Sequence, residues 1–222
     1  MGRLSCLDMG AGKVRSGIVF FTMTPSFILI LLAVFVYGFI HSVLASDKVK
    51  ALSRRWFGPA SERVYRVVYN LFAALSFLPV LALAGILPDQ LIYRIPSPWT
   101  LLSLALQVMA VLMLGMGLLQ TDLWYFLGVR QLLQPGASEP NELVISGLYR
   151  RVRHPLYTAG LLFIWLAPQM TLNLLALNLG LTVYILVGAM LEERKLLRQF
   201  GGAYTEYQKR TPMLIPRLGR VE

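Results

Sequence analysis

Cysteine is almost missing from this chain: Cys6 is the one thiol among 222 residues. An intrachain disulfide is therefore impossible, and one Cys with two His cannot assemble a structural zinc site, so no metal centre is expected. Charge is also scarce. Asp, Glu, Lys and Arg make up 14% of the residues, about half the share usual in soluble proteins, against 56% apolar. So little charge cannot cover a water-facing surface, and disordered, collagen-like and disulfide-framework classes are excluded with it. Acidic residues are the scarcer sign, 11 against 21 basic, giving a formal charge of +10. In a chain this apolar, that excess reads as loops beside anionic lipid, and no nucleic-acid partner is expected.

Long apolar runs are what the sequence has in quantity. They extend from Pro25 to Ser46, from Val64 to Leu87 and from Trp99 to Leu119, each at or above the roughly 20 residues that cross a bilayer as a helix. A fourth, Pro155 to Leu191, holds no charged residue in 37 positions. As one helix it would be about 55 Å long, nearly twice the hydrocarbon thickness. Pro168-Gln169-Met170-Thr171 supplies a break, so the run reads as a helical hairpin with a short first arm (155–167) and a full second arm (172–191). The expected fold is all-α and integral to the membrane, with about five transmembrane helices, a C-terminal hairpin and a cytoplasmic cofactor site.

Basic residues set the expected orientation. With the N-terminus outside, 17 Lys and Arg fall in cytoplasmic segments and 4 outside, a strong positive-inside asymmetry for an inner, cytoplasmic membrane with a cytoplasmic C-terminus. Residues 1–22 have no periodicity and read as a leader or upstream extension. Gly10-Ala11-Gly12-Lys13 is not a phosphate loop, because Leu7 stands where the first Gly belongs. Residues 23–133 form the first transmembrane unit and 134–222 the unit that carries the chemistry.

Two cytoplasmic segments concentrate the reactive side chains. One runs from Gln134 to Tyr157 and includes Glu142, Leu143, Val144, Tyr149, Arg153 and His154; the other runs from Glu192-Glu193 to Pro216. The hairpin returns the chain to its starting side, so a guanidinium, an imidazole, two carboxylates and several phenols should meet at the membrane edge. Taken singly, Tyr, Arg and Lys there are ordinary interfacial anchors. Adjacent carboxylates at a helix C-terminus are disfavoured by its dipole, so something positive or hydroxyl-bearing should face at least one of Glu192 and Glu193. After Glu193, Leu196, Leu197, Phe200, Tyr204 and Tyr207 recur at helical spacing, so the tail reads as an amphipathic lid lying flat.

The paired motifs RVRHPLYTAG and EERKLLRQFGGAYTEYQKRTPMLIP resemble the isoprenylcysteine carboxyl methyltransferase group of integral-membrane methyltransferases, over about residues 134–216. FIHSVLAS and YRVVYNLFAALSFLPVL are more similar to the short bacterial branch, with its NnrU-like and methanethiol S-methyltransferase members. The resemblance implies S-adenosylmethionine (SAM) as cofactor and an apolar acceptor drawn from the bilayer. It implies SAM contacts for Gln134, Glu142, Leu143, Val144, Tyr149, His154 and Tyr157, and makes Glu192 the cofactor-binding glutamate. Arg153 is a candidate cation for the SAM carboxylate. Gly188 stands where prenylcysteine enzymes keep a substrate-binding arginine, which favours a thiol or other small lipophilic nucleophile over a carboxylate.

His41, Asn70 and Asp122 are polar groups within or beside the early spans, and such groups are functional candidates. His41 and Asn70 either bond each other as glue between spans, or complete the acceptor pocket with His41 as base. Asp122 either joins that pocket or caps a short helix. His41, Asn70 and Glu193 are the candidate catalytic residues. Alternatives are a haem-binding NnrU-like protein or isomerase with His41 or His154 on iron, a prenylcysteine carboxyl or phospholipid amine methyltransferase, and a non-catalytic assembly subunit.

Overall fold

The computed structural model describes residues 24–134 and 142–216; the leader reading for residues 1–22 falls outside them. Helix α1 spans Pro25–Ala45 and α2 Asp47–Phe57. Helix α3 spans Ser61–Ile86, strand β1 Leu91–Arg94 and α4 Trp99–Gln120. Two short helices follow, α5 (Leu123–Leu127) and α6 (Val129–Leu133). A 3-10 turn at Gly147–Arg150 precedes α7 (Pro155–Trp165), β2 (Gln169–Thr171), α8 (Leu172–Phe200) and α9 (Gly202–Arg210). The architecture is all-α, with one two-stranded antiparallel ribbon, β1 with β2.

Local signals explain the boundaries. Thr24 accepts from the Phe27 amide and Pro25 follows at the first helical position, so α1 starts where its cap and its proline allow. Ser46 ends α1 and caps α2 through the Val49 amide. Helix α2 is basic on one side and leaves Trp56 and Phe57 exposed on another, the composition of a helix lying at the membrane surface. Gly128, at φ +88°, turns α5 into α6 with its Cα against the Val67 amide, where a side chain would collide.

Four helices, α1, α3 (from Arg63), α4 and α8, are long and apolar enough to cross a membrane. Their outward faces carry Phe35, Phe39, Leu101, Met109 and Leu119, all exposed, as lipid-facing surface requires. Helix α7 is the short first arm of the hairpin, ending at Trp165: its 11 residues reach about 17 Å, near half the hydrocarbon thickness. Residues 166–168 carry the chain on to the ribbon, which lies between the end of α3 and the start of α4. A helix stopping inside an apolar layer leaves carbonyls unsatisfied, and neighbouring spans supply the donors. Gln107 donates to Phe163 O (2.9 Å), Asn178 to Ile164 O (2.8 Å) and Ser103 to Leu166 O.

Helix α7 packs chiefly on α4 and α8 chiefly on α1. Small residues permit this. A Cβ at Gly180 would stand 2.9 Å from Val34, and one at Gly117 2.8 Å from Leu156. The core joins Phe27, Ile30 and Val34 of α1 to Val80 of α3 and Leu172, Ala176 and Leu177 of α8. Helix α8 runs unbroken to Phe200, because nothing between Leu191 and Gly201 stops it. At 29 residues it is about 44 Å long, so its last turns project beyond a 30 Å core.

Candidate active site

Where the projecting end of α8 meets the start of α7, Glu193 is gripped from five directions. Arg153 donates to it in fork fashion, Nε to Oε1 at 2.7 Å and Nη2 to Oε2 at 2.9 Å. His154 Nε2 lies 2.8 Å from Oε1, Tyr204 donates its hydroxyl to Oε1 at 2.8 Å, and Gln208 Nε2 donates to Oε2 at 2.5 Å. The Arg153 and Glu193 side chains are each 11% exposed, so this ion pair is largely shielded from water. Arg153 Nη1 is also engaged, by the carbonyls of Gln208 (3.2 Å) and Thr211 (2.5 Å). Four of the five guanidinium N–H donors are thus turned to the protein, so Arg153, expected to meet a cofactor carboxylate, is chiefly engaged by Glu193 and the tail.

The backbone fixes this cluster. Arg153 N donates to Pro212 O (2.9 Å) and His154 N to Met213 O (3.1 Å), while Thr158 donates to Leu214 O (2.8 Å). The tail after α9 is therefore stitched to the start of α7. Tyr204 and Tyr207 turn inward, Tyr204 to Glu193 and Tyr207 to Tyr149 O. This corrects the flat lid: residues 194–200 continue α8, and the tail's phenols are buried against polar partners. Burial, then the bond to Glu193, raises the Tyr204 phenol above its ordinary range, so it remains a donor.

Glu192 behaves differently from its neighbour. Successive residues stand about 100° apart around a helix, so when Glu193 points inward Glu192 does not. Its side chain is 45% exposed. Oε2 accepts the Tyr157 hydroxyl at 2.8 Å and lies 3.7 Å from His154 Nδ1. The His154 and Tyr157 rings stack with centroids 5.4 Å apart. Tyr149 also faces this carboxylate; burial, then the charge of Glu192, pushes its phenol up to about 12. Glu192, Tyr157, His154 and Tyr149 thus form one exposed-to-buried wall. Gln134 and Glu142 are exposed on either side of segment 135–141, and Leu143 and Val144 are half-buried. Gly147, at φ +60°, seats its bare Cα against the Gln120 amide, whose oxygen accepts Leu148 N at 2.9 Å, and so anchors the loop that carries Tyr149.

A second constellation lies in the first spans. His41 Nε2 is hydrogen-bonded to the Tyr69 hydroxyl. The rings of Tyr69, Tyr37 and Tyr184 surround the imidazole at centroid distances of 4.8, 5.6 and 5.9 Å. His41 Nδ1 is buried and has no hydrogen-bond partner among the described residues. Tyr37 also lines an apolar cleft of about 350 Å³ between α1 and α3, with Leu32, Val36, Ile40, Phe72 and Val80 among its walls. Tyr184, whose ring packs on His41, and Glu192 both stand on α8, eight residues or about 12 Å apart along its axis, so one helix carries a wall of each constellation.

The His41–Asn70 bond, one of the two readings of these residues, is not formed. Asn70 donates instead to Phe126 O (3.0 Å) and Leu127 O (3.1 Å), tying α3 to α5. Tyr69, which sequence reasoning passed over, takes that place. Asp122 caps α5 through the Tyr125 amide (2.9 Å) and pairs with Arg130. Both histidines have Nε2 engaged, His41 by Tyr69 and His154 by Glu193.

Fold and site together define a multi-pass helical membrane protein with a polar cluster at one end and a half-buried imidazole beside it. Comparison with known proteins gives the family. The chain is 33% identical over 196 residues to methanethiol S-methyltransferase 1 of Bradyrhizobium diazoefficiens, covering 85% of this chain and 65% of that protein. It is 34% identical over 188 residues to the methanethiol S-methyltransferase of a Pseudomonas species, covering 80% and 68%. With that of Mycobacterium tuberculosis it shares 31% over 196 residues, covering 85% and 76%. The chain belongs to the methanethiol S-methyltransferase-like family of membrane methyltransferases. It spans less than two thirds of the length of the Bradyrhizobium relative. No family model matches it. No solved structure matches it.

Proposed function

We propose that this protein transfers a methyl group from SAM to a small, lipid-soluble thiol. The observation that carries this reading is that α8 joins the Glu192 wall to the His41 constellation, with Tyr184 against His41 and Glu192 two turns further on, in a chain whose relatives are named methanethiol S-methyltransferase. The donor set suits SAM. Glu192 is exposed, and its Oε1 has no hydrogen-bond partner among the described residues, which leaves an acceptor for a ribose diol. Tyr149 and Tyr157 add neutral phenols, and Leu143 and Val144 add half-buried backbone and apolar surface suited to a purine. Gln134 and Glu142 are proposed to close the same site from the two sides of segment 135–141. When bound, SAM supplies an electrophilic methyl group on a sulfonium.

The protein's own part is alignment and proton handling. Glu193, Arg153 and His154 hold α7, α8 and the tail in register, so the proposed role of Glu193 and Arg153 is positioning. His154 keeps Nδ1 directed at Glu192 while Nε2 is held by Glu193. His41 is the proposed base, since a thiol with a pKa near 8.5 or above is largely protonated at neutral pH. Asn70 supports this arrangement by holding α5 against α3. Open space beside Gly188 offers no cation for a carboxylate acceptor. The test is transfer from methyl-labelled SAM by purified protein to ethanethiol, a phospholipid amine and a farnesylcysteine analogue. Transfer to the thiol alone is expected. Transfer to the farnesylcysteine carboxylate, or a Soret band with no transfer at all, would overturn the reading.

A further inference from the structure

The histidine at the end of α1 has a feature that a merely structural histidine lacks. One ring nitrogen, Nε2, is held by Tyr69, and the other, Nδ1, is buried without a partner. A buried imidazole nitrogen left unpaired is costly, and it is retained where a ligand completes it. What surrounds it defines that ligand. Three phenol rings, from Tyr37, Tyr69 and Tyr184, enclose the imidazole. The enclosure is tight because Gly38 has no side chain: a Cβ there would lie 2.7 Å from Tyr184 Cδ2. Nothing anionic or cationic faces the ring within hydrogen-bond or ion-pair distance among the described residues. These walls suit a small, weakly acidic molecule and supply no ion-pair partner to a carboxylate.

We propose that the Tyr37–Tyr69–Tyr184 box is the acceptor site for a small neutral thiol, and that Tyr69 is the positioning residue that makes His41 Nδ1 its base. This rests on the thiol reading above and adds the site and the tautomer. With Nε2–H donating to the Tyr69 oxygen, Nδ1 keeps its lone pair for the acceptor. The thiol S–H proton passes to Nδ1. The sulfur's freed electron pair forms the new S–CH3 bond while the methyl's bond to the donor sulfonium breaks, and that pair stays on the donor sulfur as a neutral thioether. The imidazolium then holds its Nε2–H against the phenol oxygen and returns the extra proton to water. Without Tyr69 the ring can turn or carry its proton on Nδ1, and the base is lost while the box stays apolar.

Two measurements test this. The chain has only two histidines, so nitrogen NMR of histidine-labelled protein in nanodiscs resolves His41 by comparison with His41→Ala. Without any methyl donor, wild type should show a bare Nδ1 that shifts when ethanethiol is added, and Tyr69→Phe should redistribute the ring proton. The second is the ratio of kcat/KM for ethanethiol to that for trifluoroethanethiol, a thiol of similar size that is mostly ionised at about pH 8.5. That ratio should fall about tenfold or more in Tyr69→Phe, because only the protonated thiol needs the base. A ratio within one preparation does not depend on how much of the variant folds. An unchanged ratio, or an Nδ1 signal indifferent to ethanethiol, overturns the role of Tyr69 and leaves the thiol reading standing. A wild type inactive on both thiols overturns the thiol reading and this inference together.

Discussion

Glu192 and Glu193 are chemically identical neighbours given opposite work by 100° of helix rotation. Glu193 takes five hydrogen bonds in a largely dry knot, so removing it strands Arg153 beside carbonyls with an uncompensated charge. Glu193→Ala should cost about 3 kcal/mol or more, read as a lowered unfolding temperature in detergent. Arg153→Ala should cost a similar amount, and the double variant should cost clearly less than the two together, because they remove one interaction. Glu192→Gln should leave the unfolding temperature unchanged and weaken SAM binding about tenfold, or 1.4 kcal/mol, by titration calorimetry. A Glu192 variant that unfolds early, or binds normally, would reverse the assignment of the pair.

Among the elements, α7 asks most of its neighbours. Its last turn leaves carbonyls without an intrahelical donor, and Gln107, Asn178 and Ser103 satisfy them. Asn178 is 1% exposed, and Asn178→Leu should destabilise the protein by about 1–3 kcal/mol, since the Ile164 carbonyl is left unpaired. The α1–α8 contact depends on volume instead of polarity. Gly180→Val must push Val34 away and should cost a comparable amount, about 1–3 kcal/mol in the same unfolding assay. An equally large loss from Gly188→Ala, where nothing lies within 4 Å, would show that glycine itself, and not close packing, is what α8 needs.

For the whole molecule, the charge asymmetry makes a prediction of its own. With 17 basic residues assigned to one side and 4 to the other, the catalytic end should face the cytoplasm. A phosphatase reporter fused after Pro216 should be inactive, and one placed in the β1–α4 connection active; the reverse pattern would place the site outside. Spans, hairpin break and polar segments were determined by the sequence alone, because hydropathy, proline and net charge are sums over short stretches and need no partner. The meeting of the RVRHP and EER segments followed from the hairpin by topology. Which partner each polar side chain takes was settled by packing in three dimensions. Asn70 adjoins Tyr69 in sequence but faces α5, while Tyr69 faces His41. Arg153, chosen from sequence for a cofactor carboxylate, forks onto Glu193, 40 positions away, and onto the carbonyls of Gln208 and Thr211. The short first arm was legible from Pro168, but the donors that satisfy its last carbonyls, on α4 and α8, were not. Such pairings depend on how each helix is rotated about its axis, and that rotation is set by packing between spans, through contacts such as Gly180 on Val34 and Gly38 on Tyr184.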